Sequence, residues 1–484
     1  MTDRSVTFLA HAHKLFIGGE WVEPSTDARL AVVNPATSET VATIAEAREK
    51  DIDRAVAAAD RAFREGPWPR MSLEERLAVL ERWASAIEAR HEDLVLAPTA
   101  QIGLPASFSR AVAAGAAKSL RDHIAYARDY RWVEERPALG GVAWLRREPV
   151  GVVAAIVPWN YPSLLGMNKM APALAAGCTV VVKPSPEAPL DLLVMAECAV
   201  EAGFPDGVLS VVPAGREVGE RLVRDPRVDK VSFTGSTAAG KRIGAICMER
   251  VARVSLELGG KSAAIVLDDI PIAAAVQGIA ALSTLFNGQA CMGLTRVLVP
   301  RDRQDELVEA LTEAYGALRI GDPYDPATQI GPVASPAQAQ RVAGYIAAGK
   351  AEGARLASGG GVEGCFVTPT IFADVTNAMT IAREEIFGPV LAVLPYDTLD
   401  EAIAIANDSP YGLGGAVFTL DRDKAMAVAR RVRTGSMAQN GIGPQAGLPF
   451  GGFKQSGIGR EGSPEAFEAY TELQTVYLAA VPAS

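Results

Sequence analysis

One cysteine of the chain has neighbours that suit a nucleophile. Cys291 follows the polar, turn-prone sequence Asn-Gly-Gln at residues 287–289. An Ala/Leu/Ile-rich segment, residues 272–286, precedes it and is long enough for a buried helix; the apolar run 296–300 that follows predicts a strand. A thiol at such a helix-to-strand corner can face a cleft. Free cysteines are also among the most buried residues, so a structural thiol stays open as the alternative.

A carboxylate that could serve as a base lies earlier in the chain. Glu257 stands inside an apolar segment and is followed by Gly259 and Gly260, a setting that does not fit a solvated surface charge. It could be a core carboxylate held by backbone N–H groups. Burial would equally raise its pKa towards neutrality and suit it as a general base. The four histidines all lie within the first 123 residues of the chain, so the base for Cys291 is expected to be a carboxylate.

The segment 233–240, Phe-Thr-Gly-Ser-Thr-Ala-Ala-Gly, follows a predicted strand and opens a predicted helix. Backbone N–H groups at such a helix start bind phosphate. With Lys241 it matches a Walker A motif except for the last residue, and residues 263–268 resemble a Walker B strand. Arg242 stands where a serine or threonine would hold Mg²⁺, and its charge repels the metal. A P-loop NTPase is therefore the rival class of protein.

Two further segments combine glycine, aromatic rings and charge. Residues 449–462 form a Gly/aromatic stretch that is either a long mobile loop or a loop packed over a cleft. Residues 384–389, Glu-Glu-Ile-Phe-Gly-Pro, could grip a sugar hydroxyl and a flat ring, or could mark the end of a strand.

The elements that must position these residues alternate from Val150 onwards. Continuous apolar runs predict parallel strands buried on both faces, at 150–157, 179–182, 208–212 and 228–233. Helices are predicted between them, at 166–176, 190–202 and 217–224. This series predicts an α/β fold with a doubly wound parallel sheet, whose ligands bind beyond the carboxyl ends of the strands. The informative residues are therefore expected just after each strand, at 158–160, 183–185, 213–215 and 234–237.

The rest of the chain predicts supporting structure. Residues 15–22 are typical of a hairpin, and helices are predicted at 51–62 and 72–96, the second starting at a Ser72/Glu75 capping box. A second α/β series begins near Gly260, with strands at 263–267 and 415–419 and helices at 302–318 and 399–406. A strand-like segment, 134–147, could pair with another subunit or within its own sheet.

Composition narrows the class of protein. The chain has 484 residues and a net charge of -10, with no basic block and no apolar run of the roughly 20 residues that a membrane helix needs. Nucleic acid and anionic membranes are therefore not expected as partners. The five cysteines are odd in number and form no CxxC, which predicts reduced thiols, a cytoplasmic location and no metal site. The length predicts two to four domains at about 100–200 residues each.

Taken together, these segments resemble the NAD(P)-dependent aldehyde dehydrogenase superfamily, in its hydrolytic form that does not acylate coenzyme A. The resemblance runs from Phe16 to Glu472 and rests on motifs in the family's order, at 158–160, 171–177, 183–185, 233–236, 257–261, 288–291, 385–389 and 449–461. It implies two doubly wound parallel-sheet domains and a small antiparallel oligomerisation flap. The implied division is 1–127 and 150–258 for the dinucleotide-binding domain, 259–468 for the catalytic domain, and 128–149 and 469–484 for the flap. The flap should pair across subunits of a homodimer or homotetramer.

The resemblance also implies roles for the candidate residues. Cys291 would attack the aldehyde carbon, and the Asn160 side-chain amide with the Cys291 N–H would hold the oxyanion. After hydride transfer, Glu257 would activate the water that hydrolyses the thioester. Relatives that acylate coenzyme A generally lack this glutamate, so a free carboxylate product is expected. Lys169 and Glu461 match positions proposed as a proton relay.

For the cofactor, NAD or NADP, the resemblance assigns Lys183 to the adenosine ribose, Ser236 to the pyrophosphate, and Glu385 with Phe387 to the nicotinamide ribose. Further matched positions line the same groove: Trp159, Ser185, Gly215, Phe233, Gly235 and Leu258. The pattern departs at Pro186, where many NAD-preferring relatives have a glutamate that repels a 2′-phosphate. Glu187 is the nearest carboxylate, and NAD is only slightly favoured over NADP.

The substrate channel implied by the resemblance is apolar and contains no arginine to pair with an acidic substrate. Its residues are Tyr161, Leu164, Leu165, Met292 and Phe450. A hydrophobic or aromatic aldehyde is therefore expected. A catalytically silent relative is the third possibility, but such a copy need not keep Cys291, Glu257 and Asn160 together.

Overall fold

A computed structural model describes residues 6–441, 443 and 445–479. Two open sheets form its centre, and a small antiparallel sheet stands apart from them. The strands are β1 (Leu15–Ile17), β2 (Glu20–Val22), β3 (Arg29–Val33), β4 (Thr40–Ala45), β5 (Val133–Ala138), β6 (Gly141–Pro149), β7 (Val152–Ile156), β8 (Thr179–Lys183), β9 (Leu209–Val211), β10 (Lys230–Thr234), β11 (Arg253–Glu257), β12 (Ser262–Val266), β13 (Leu294–Pro300), β14 (Arg355–Ser358), β15 (Val362–Glu363), β16 (Phe366–Val367), β17 (Thr370–Ala373), β18 (Val390–Tyr396), β19 (Gly415–Phe418), β20 (Ala438–Gln439), β21 (Gly457–Ile458) and β22 (Thr471–Ala479).

Helices cover the faces of the two large sheets. They are α1 (Glu49–Arg64), α2 (Leu73–Ala89), α3 (His91–Ile102), α4 (Ala106–Val112), α5 (Gly115–Asp129), α6 (Pro162–Ala176), α7 (Leu190–Ala202), α8 (Arg216–Arg224), α9 (Thr237–Glu249), α10 (Ile272–Ser283), α11 (Gln304–Gly316), α12 (Pro336–Ala351), α13 (Thr380–Arg383), α14 (Leu399–Asn407) and α15 (Arg422–Ala429). None of the helices within the described ranges is long and apolar enough to cross a membrane.

The first sheet has eight strands in the order β2-β1-β9-β8-β7-β10-β11-β21. Its five central strands are parallel, and the short strands β1 and β21 add at the edges in antiparallel register. The chain runs from β7 outwards through β8 and β9, then returns to β10 and β11 on the other side. This reversal confirms the predicted doubly wound sheet and places its switch point between β7 and β10.

The second sheet has seven strands in the order β14-β17-β18-β13-β12-β19-β20, all parallel except the β14–β17 pair. Strand β12 is buried at all five positions, as β8 is in the first sheet. Strands buried on both faces need continuous apolar side chains, so β8 and β12 could both be predicted from unbroken apolar runs.

The small sheet is antiparallel, with the order β22-β6-β5. Strand β22 pairs with β6 from Thr471↔Pro149 to Ala479↔Gly141. The strand-like segment predicted at 134–147 is thus divided between β5 and β6, and β6 has partners on both sides within its own chain. Any pairing with another subunit is left to the outer edges of this sheet.

Two predicted helices differ from the observed ones. The segment predicted as one helix over 72–96 forms two helices, α2 and α3, which are separated at Arg90. The Arg90 guanidinium donates hydrogen bonds to the Glu197 carboxylate and to the Phe8 carbonyl. The capping box of Ser72 and Glu75 is present as predicted. The segment predicted as a buried helix over 272–286 ends at Ser283, and its helix exposes alanines on one side. Alanine content indicated burial there, although alanine is also the best surface helix former.

Candidate active site

The carboxyl ends of the first sheet's strands meet the amino ends of the second sheet's strands. After β7, the Trp159 ring contacts the Phe387 ring, which lies just before β18, with centroids 5.2 Å apart. Between β11 and β12, the Gly260 N–H donates to the Glu385 carboxylate over 3.1 Å. An added Cβ on Gly260 would lie 2.2 Å from the carbonyl oxygen of Cys291, just before β13. Most of the residues predicted for catalysis therefore come together between the two sheets.

The loop that carries Cys291 has an unusual backbone. Phe286, Asn287 and Gly288 have positive φ angles of 53°, 58° and 78°. This left-handed region is uncommon for non-glycine residues and disfavours a bulky side chain such as phenylalanine. Gly288 is required for a second reason, since an added Cβ would lie 2.2 Å from the backbone nitrogen of Pro389.

The Asn287 side chain holds this loop in place. Its Nδ2 donates to the carbonyls of Gly103 (3.1 Å) and Pro332 (2.9 Å), and its Oδ1 accepts from the Gly331 N–H at 2.9 Å. Gln289 adds a bond from the Ala334 N–H to its Oε1, at 2.9 Å. The nucleophile loop is thereby tied to the end of α3 on one side and to residues 331–334 on the other.

Cys291 differs from the other cysteines in exposure. All five are free thiols; Cys291 is partly exposed and the other four are buried. Burial raises the pKa of the Cys291 thiol to about 12, and the negative charges of Glu385 and Glu257 add to that shift. The resting thiol is therefore protonated, and its use as a nucleophile needs a base.

Asn160 lies beside this loop and is 6% exposed. Its Nδ2 donates to the Gln289 carbonyl over 3.0 Å. A primary amide has two N–H donors, so one donor remains after this bond. The bond fixes the amide two residues before Cys291.

Glu257 is the last residue of β11 and is 4% exposed. Neither carboxylate oxygen has a hydrogen-bond partner among the residues that the structure describes. Burial raises the pKa of Glu257 well above its ordinary value, and the charge of Glu461 raises it further, against Lys169 and Arg460. The Gly/aromatic segment 449–462 packs against this group, because an added Cβ on Gly451 would lie 2.7 Å from Glu257 Oε1.

Lys169 and Glu461 form a buried ion pair next to Glu257. Lys169 Nζ is 2.5 Å from Glu461 Oε1 and also donates to Thr234 Oγ1 over 2.7 Å. The two charged residues are 0% and 3% exposed. The structure thus brings both predicted relay positions together, although they are 292 residues apart in sequence.

Glu385 and Phe387 lie in the segment before β18, whose residues 388–389 contact the cysteine loop at Gly288. Glu385 accepts a hydrogen bond from Gly260, and burial raises its pKa to about 7. Phe387 has a positive φ of 60° and meets Trp159 edge to face, at 89°. Gly259 leaves room for Glu385, since an added Cβ would lie 2.5 Å from its Oε2.

The remaining residues predicted for the cofactor follow neighbouring strands of the first sheet. Lys183 Nζ donates to the Pro184 carbonyl over 2.9 Å, and burial lowers its pKa to about 8. Ser185 Oγ donates to the Glu187 carboxylate. Gly215 and Ser236 are the residues before α8 and α9, and the Ser236 hydroxyl accepts from the Ala239 N–H.

Backbone N–H groups at the starts of α8 and α9 suit phosphate oxygens. Gly235, just before α9, packs closely against the Phe233 ring, because an added Cβ would lie 2.5 Å from that ring. Phe233 and Leu258 are buried, at 8% and 6% exposure, as parts of the walls. A dinucleotide therefore fits the donors and glycines present at this edge of the sheet.

An aromatic cluster stands next to the cysteine loop. The Phe286 ring lies 5.2 Å from the rings of both Phe108 and Tyr161. Tyr161 Oη donates to the Val112 carbonyl over 2.5 Å, which fixes its ring. The other residues predicted for the channel are half-buried: Leu164, Leu165, Met292 and Phe450.

The model of the aldehyde dehydrogenase family matches residues 21–476. The chain belongs to the aldehyde dehydrogenase family. This confirms the predicted family, the predicted α/β fold and the predicted class of enzyme.

Three relatives show how close the match is. Geranial dehydrogenase of Castellaniella defragrans is 47% identical over 474 residues, which is 97% of this chain and 99% of that protein. The crystal structure of a Mycobacterium tuberculosis aldehyde dehydrogenase complexed with NAD⁺ is 47% identical, with a TM-score of 0.94 over 96% of this chain and 98% of that one. An aldehyde dehydrogenase mutant from Pseudomonas syringae, complexed with NAD⁺ and octanal, is 40% identical, with a TM-score of 0.92 over 98% of both chains.

The P-loop NTPase hypothesis is wrong for this aldehyde dehydrogenase. Arg242 lies on the surface and its guanidinium binds the Glu220 carboxylate, with Nε 2.6 Å from Oε2. Asp268, which the Walker B comparison would place at a metal, has a side chain 84% exposed.

Several residues of this aldehyde dehydrogenase site were not predicted individually. Asn287 was noted only as part of a polar turn, and Gln289 only in that turn and in the family motif at 288–291, yet their side chains hold the nucleophile loop. Thr234 was included only in a phosphate-binding sequence, yet its hydroxyl accepts from Lys169. Phe108 and Phe286 carry no local signal, because only the fold brings their rings together.

Proposed function

We propose that this chain oxidises an apolar aldehyde to its carboxylic acid, with NAD⁺ as the hydride acceptor. The observation that carries the proposal is the pairing of a partly exposed Cys291 thiol with the buried Glu257 carboxylate, whose oxygens have no hydrogen-bond partner in the described part of the chain. A thiol nucleophile, a carboxylate base without a hydrogen-bond partner and the Asn160 amide donor together suit acyl-transfer chemistry.

NAD is proposed because the solved relatives from M. tuberculosis and P. syringae are complexed with NAD⁺. Lys183, Ser236 and the Glu385–Phe387 pair would hold the dinucleotide, and the nicotinamide, when bound, supplies the hydride acceptor. Glu187 is close enough to Lys183 to act on its pKa and accepts a bond from Ser185. Many NAD-preferring relatives have a glutamate at the position of Pro186, and it repels the 2′-phosphate of NADP. Here the neighbouring Glu187 carboxylate would disfavour the 2′-phosphate instead.

In the first half of the reaction, Glu257 takes the proton of the Cys291 thiol and the sulfur attacks the aldehyde carbon. The second N–H of the Asn160 amide and the Cys291 N–H would stabilise the oxyanion. Such donors are typically worth about 10²–10³-fold in rate each. The loop bonds of Asn287 keep the sulfur and these donors in a fixed relation.

In the second half, Glu257 deprotonates the water that attacks the thioester, and the acid leaves as a free carboxylate. A carboxylate with a raised pKa is a stronger base than an ordinary surface glutamate. The Lys169–Glu461 pair lies within electrostatic reach of Glu257 and is proposed to receive its proton.

The substrate is proposed to be hydrophobic or aromatic. The rings of Phe108, Tyr161 and Phe286 offer apolar surface beside the cysteine loop. Geranial and octanal, named for two relatives, are both apolar aldehydes. The half-buried side chains of Leu164, Leu165, Met292 and Phe450 are proposed to complete the channel.

Assembly and domain division remain proposals that the fold supports. The division is 1–127 with 150–258 for the cofactor, 259–468 for catalysis, and 128–149 with 469–484 for the flap. Strand β22 exposes Leu473 and Tyr477 at 58% and 77%. Exposed apolar side chains on an edge strand favour association, so a homodimer or homotetramer is proposed. Five free thiols are typical of a cytoplasmic protein.

Replacement of the nucleophile tests the proposed function. Cys291→Ser should bind NAD⁺ normally but lower aldehyde-dependent NADH formation by roughly 10⁴-fold or more, as loss of a nucleophile commonly does. Cys365→Ala, which changes a buried thiol outside the site, is the matched control and should keep most activity. Normal NADH formation by Cys291→Ser would show that the nucleophile is another residue.

A substrate panel tests the proposed specificity. Octanal, geranial, an aromatic aldehyde and succinate semialdehyde are compared with NAD⁺ and with NADP⁺, by reduced-nicotinamide absorbance. We expect the highest kcat/KM for an apolar aldehyde with NAD⁺. Faster turnover of succinate semialdehyde would contradict the apolar channel.

A further inference from the structure

Strands β10 and β11 have one polar face and one apolar face. Their register pairs Lys230 with Arg253, Ser232 with Ser255, and Thr234 with Glu257. Because alternate residues of a strand point to the same side, these six side chains share one face. We call this set the polar ladder.

The opposite face of the same two strands is apolar and packs into a hydrophobic core. It carries Val231, Phe233, Val254 and Leu256. The contrast shows that the polar ladder is not a general property of these strands.

Several side chains of the polar ladder are buried and hydrogen-bonded. Lys230 is 1% exposed, and its Nζ donates to Ser255 Oγ over 2.7 Å. Tyr470 Oη donates to Ser232 Oγ over 3.1 Å, and Lys230 Nζ lies 4.9 Å from the Tyr470 ring centroid. Burial lowers the pKa of Lys230 to about 8, within the range where it can exchange a proton near neutral pH.

The two ends of the polar ladder have different surroundings. At one end, Thr234 and Glu257 meet the Lys169–Glu461 pair of the candidate active site. At the other end, Lys230 and Ser255 line an open cavity of about 450 Å³. Its wall also includes Arg253, Arg460, Glu465 and Glu468. The ladder therefore connects the site to a cavity that no proposed cofactor or substrate residue lines.

The proposed reaction needs a route for protons while the site is filled. The thiol proton passes to Glu257 as the sulfur–carbon bond forms, and the hydride leaves the carbon for the nicotinamide acceptor. Glu257 must lose that proton before it can accept one from the hydrolytic water. Water then adds to the carbonyl carbon, the carbon–sulfur bond breaks, and the acid releases a second proton. A bound cofactor and acyl group would fill the cleft that admitted them during this step.

We propose that the polar ladder is the proton exit from Glu257, with Lys230 as the relay residue that delivers protons to the cavity. This inference rests on the proposed function. The path runs from Glu257 through Glu461, Lys169 and Thr234 to the hydroxyls of Ser232 and Ser255. Neighbours on one side of a strand are roughly 7 Å apart, a gap that a chain of two waters spans, because each hydrogen bond covers about 2.8 Å. Lys230 acts through this chain and touches neither substrate nor cofactor.

The test measures the decay of the acyl-enzyme in the full-length protein. Lys230→Met keeps an unbranched side chain of nearly the same length but removes the exchangeable proton. The first burst of NADH should be unchanged, because acylation only brings a proton to Glu257 and does not require that proton to leave. A group positioned for proton transfer commonly contributes about 10²-fold, and with other outlets open we expect thioester decay to slow at least about 10-fold. Added imidazole should restore the decay rate through the cavity.

Controls separate a relay from a structural role. Lys50→Met, at an exposed position of α1, should leave burst and decay unchanged. Ser255→Ala is the second variant, and it should slow decay with the same imidazole rescue; it decides the matter if Lys230→Met fails to fold. Unchanged decay, or slow decay that imidazole does not restore, would overturn the proposal. Absence of any NADH burst in the unmodified protein would instead refute the proposed function.

Discussion

Two carboxylates act on the Cys291 thiol from different regions, and their surroundings differ. Glu257 ends a central strand of the first sheet, and its oxygens accept no hydrogen bond from any described residue. Glu385 lies in the loop before β18 and accepts from the Gly260 N–H. A hydrogen bond to the charged form holds a carboxylate in place, whereas an unbonded one stays available to a water or a thiol.

The charged residues around Glu257 and Glu385 also differ. Burial raises both pKa values, and each carboxylate has two positive groups nearby: Lys169 and Arg460 for Glu257, Lys261 and Arg341 for Glu385. Glu257 also has the negative charge of Glu461 beside it, which raises its pKa further. These surroundings fit the proposed roles of a base for Glu257 and of a fixed acceptor for Glu385. On this proposal, local hydrogen bonding separates the two roles.

Removing the base should have the largest effect. Glu257→Gln keeps the shape of the side chain but cannot accept a proton. We expect turnover to fall by about 10²–10⁴-fold, the usual contribution of a general base. Mass spectrometry of the protein with an apolar aldehyde and NAD⁺ should show an acyl adduct that forms slowly, because the thiol has lost its base, and then persists, because the hydrolytic water has lost the same base. Full activity without an adduct would remove the distinction between the two carboxylates.

The pH dependence of thioester hydrolysis sharpens the comparison. Glu257 works as the carboxylate, and its pKa is raised, so the active form is lost as pH falls through that raised value. Below it, the decay rate should fall about tenfold per pH unit. The profile of Glu385→Gln should keep this slope, and that of Glu257→Gln should lose it. A flat profile for the unmodified protein would contradict a titrating base.

Neutralising the second carboxylate should affect binding instead. Glu385→Gln can still accept from Gly260, but it loses a charge-assisted bond to the cofactor, worth about 1.5 kcal/mol or roughly 10-fold in affinity. We expect the KM for NAD⁺ to rise by this factor and thioester decay to stay unchanged. Slow decay in this variant would mean that Glu385 also takes part in hydrolysis.

The smallest effect is expected from the glycine beside Glu385. Gly259→Ala would bring a Cβ to 2.5 Å from Glu385 Oε2 and push the flexible carboxylate out of its rotamer. Such a shift costs about 0.5–1.5 kcal/mol, so the KM for NAD⁺ should rise about two- to tenfold. Gly344→Ala on α12 is the control, because an added Cβ there contacts nothing within 4 Å. An equal KM for NAD⁺ in Gly259→Ala and Gly344→Ala would indicate that Glu385 does not bind the cofactor.

Much of the first sheet could be predicted from the sequence, because parallel strands buried on both faces leave unbroken apolar runs. The helix predicted at 190–202 matches α7 at both ends. The polar sequences after these strands were therefore assigned to one edge of the sheet. The family motifs then singled out Cys291, Glu257 and Asn160 as candidates.

The relation between the two sheets could not be predicted in this way. Cys291 and Glu385 precede strands of the second sheet, at their amino ends, whereas the rule for open sheets directs attention to carboxyl ends. Only the packing of one sheet against the other brings both sets together. The bonds of Asn287 depend on that packing as well, since its partners Gly103 and Pro332 are distant in sequence.

Asn287 has a mechanical consequence. Its single amide spans the end of α3 and the turn at 331–332 with three hydrogen bonds of 2.9 to 3.1 Å. Hydrogen bonds weaken steeply when stretched, so these two segments cannot slide apart without loosening the backbone that carries the sulfur. The cysteine therefore senses movement between the halves of the molecule, and mutations far from the cleft that change how the halves meet should alter thiol reactivity.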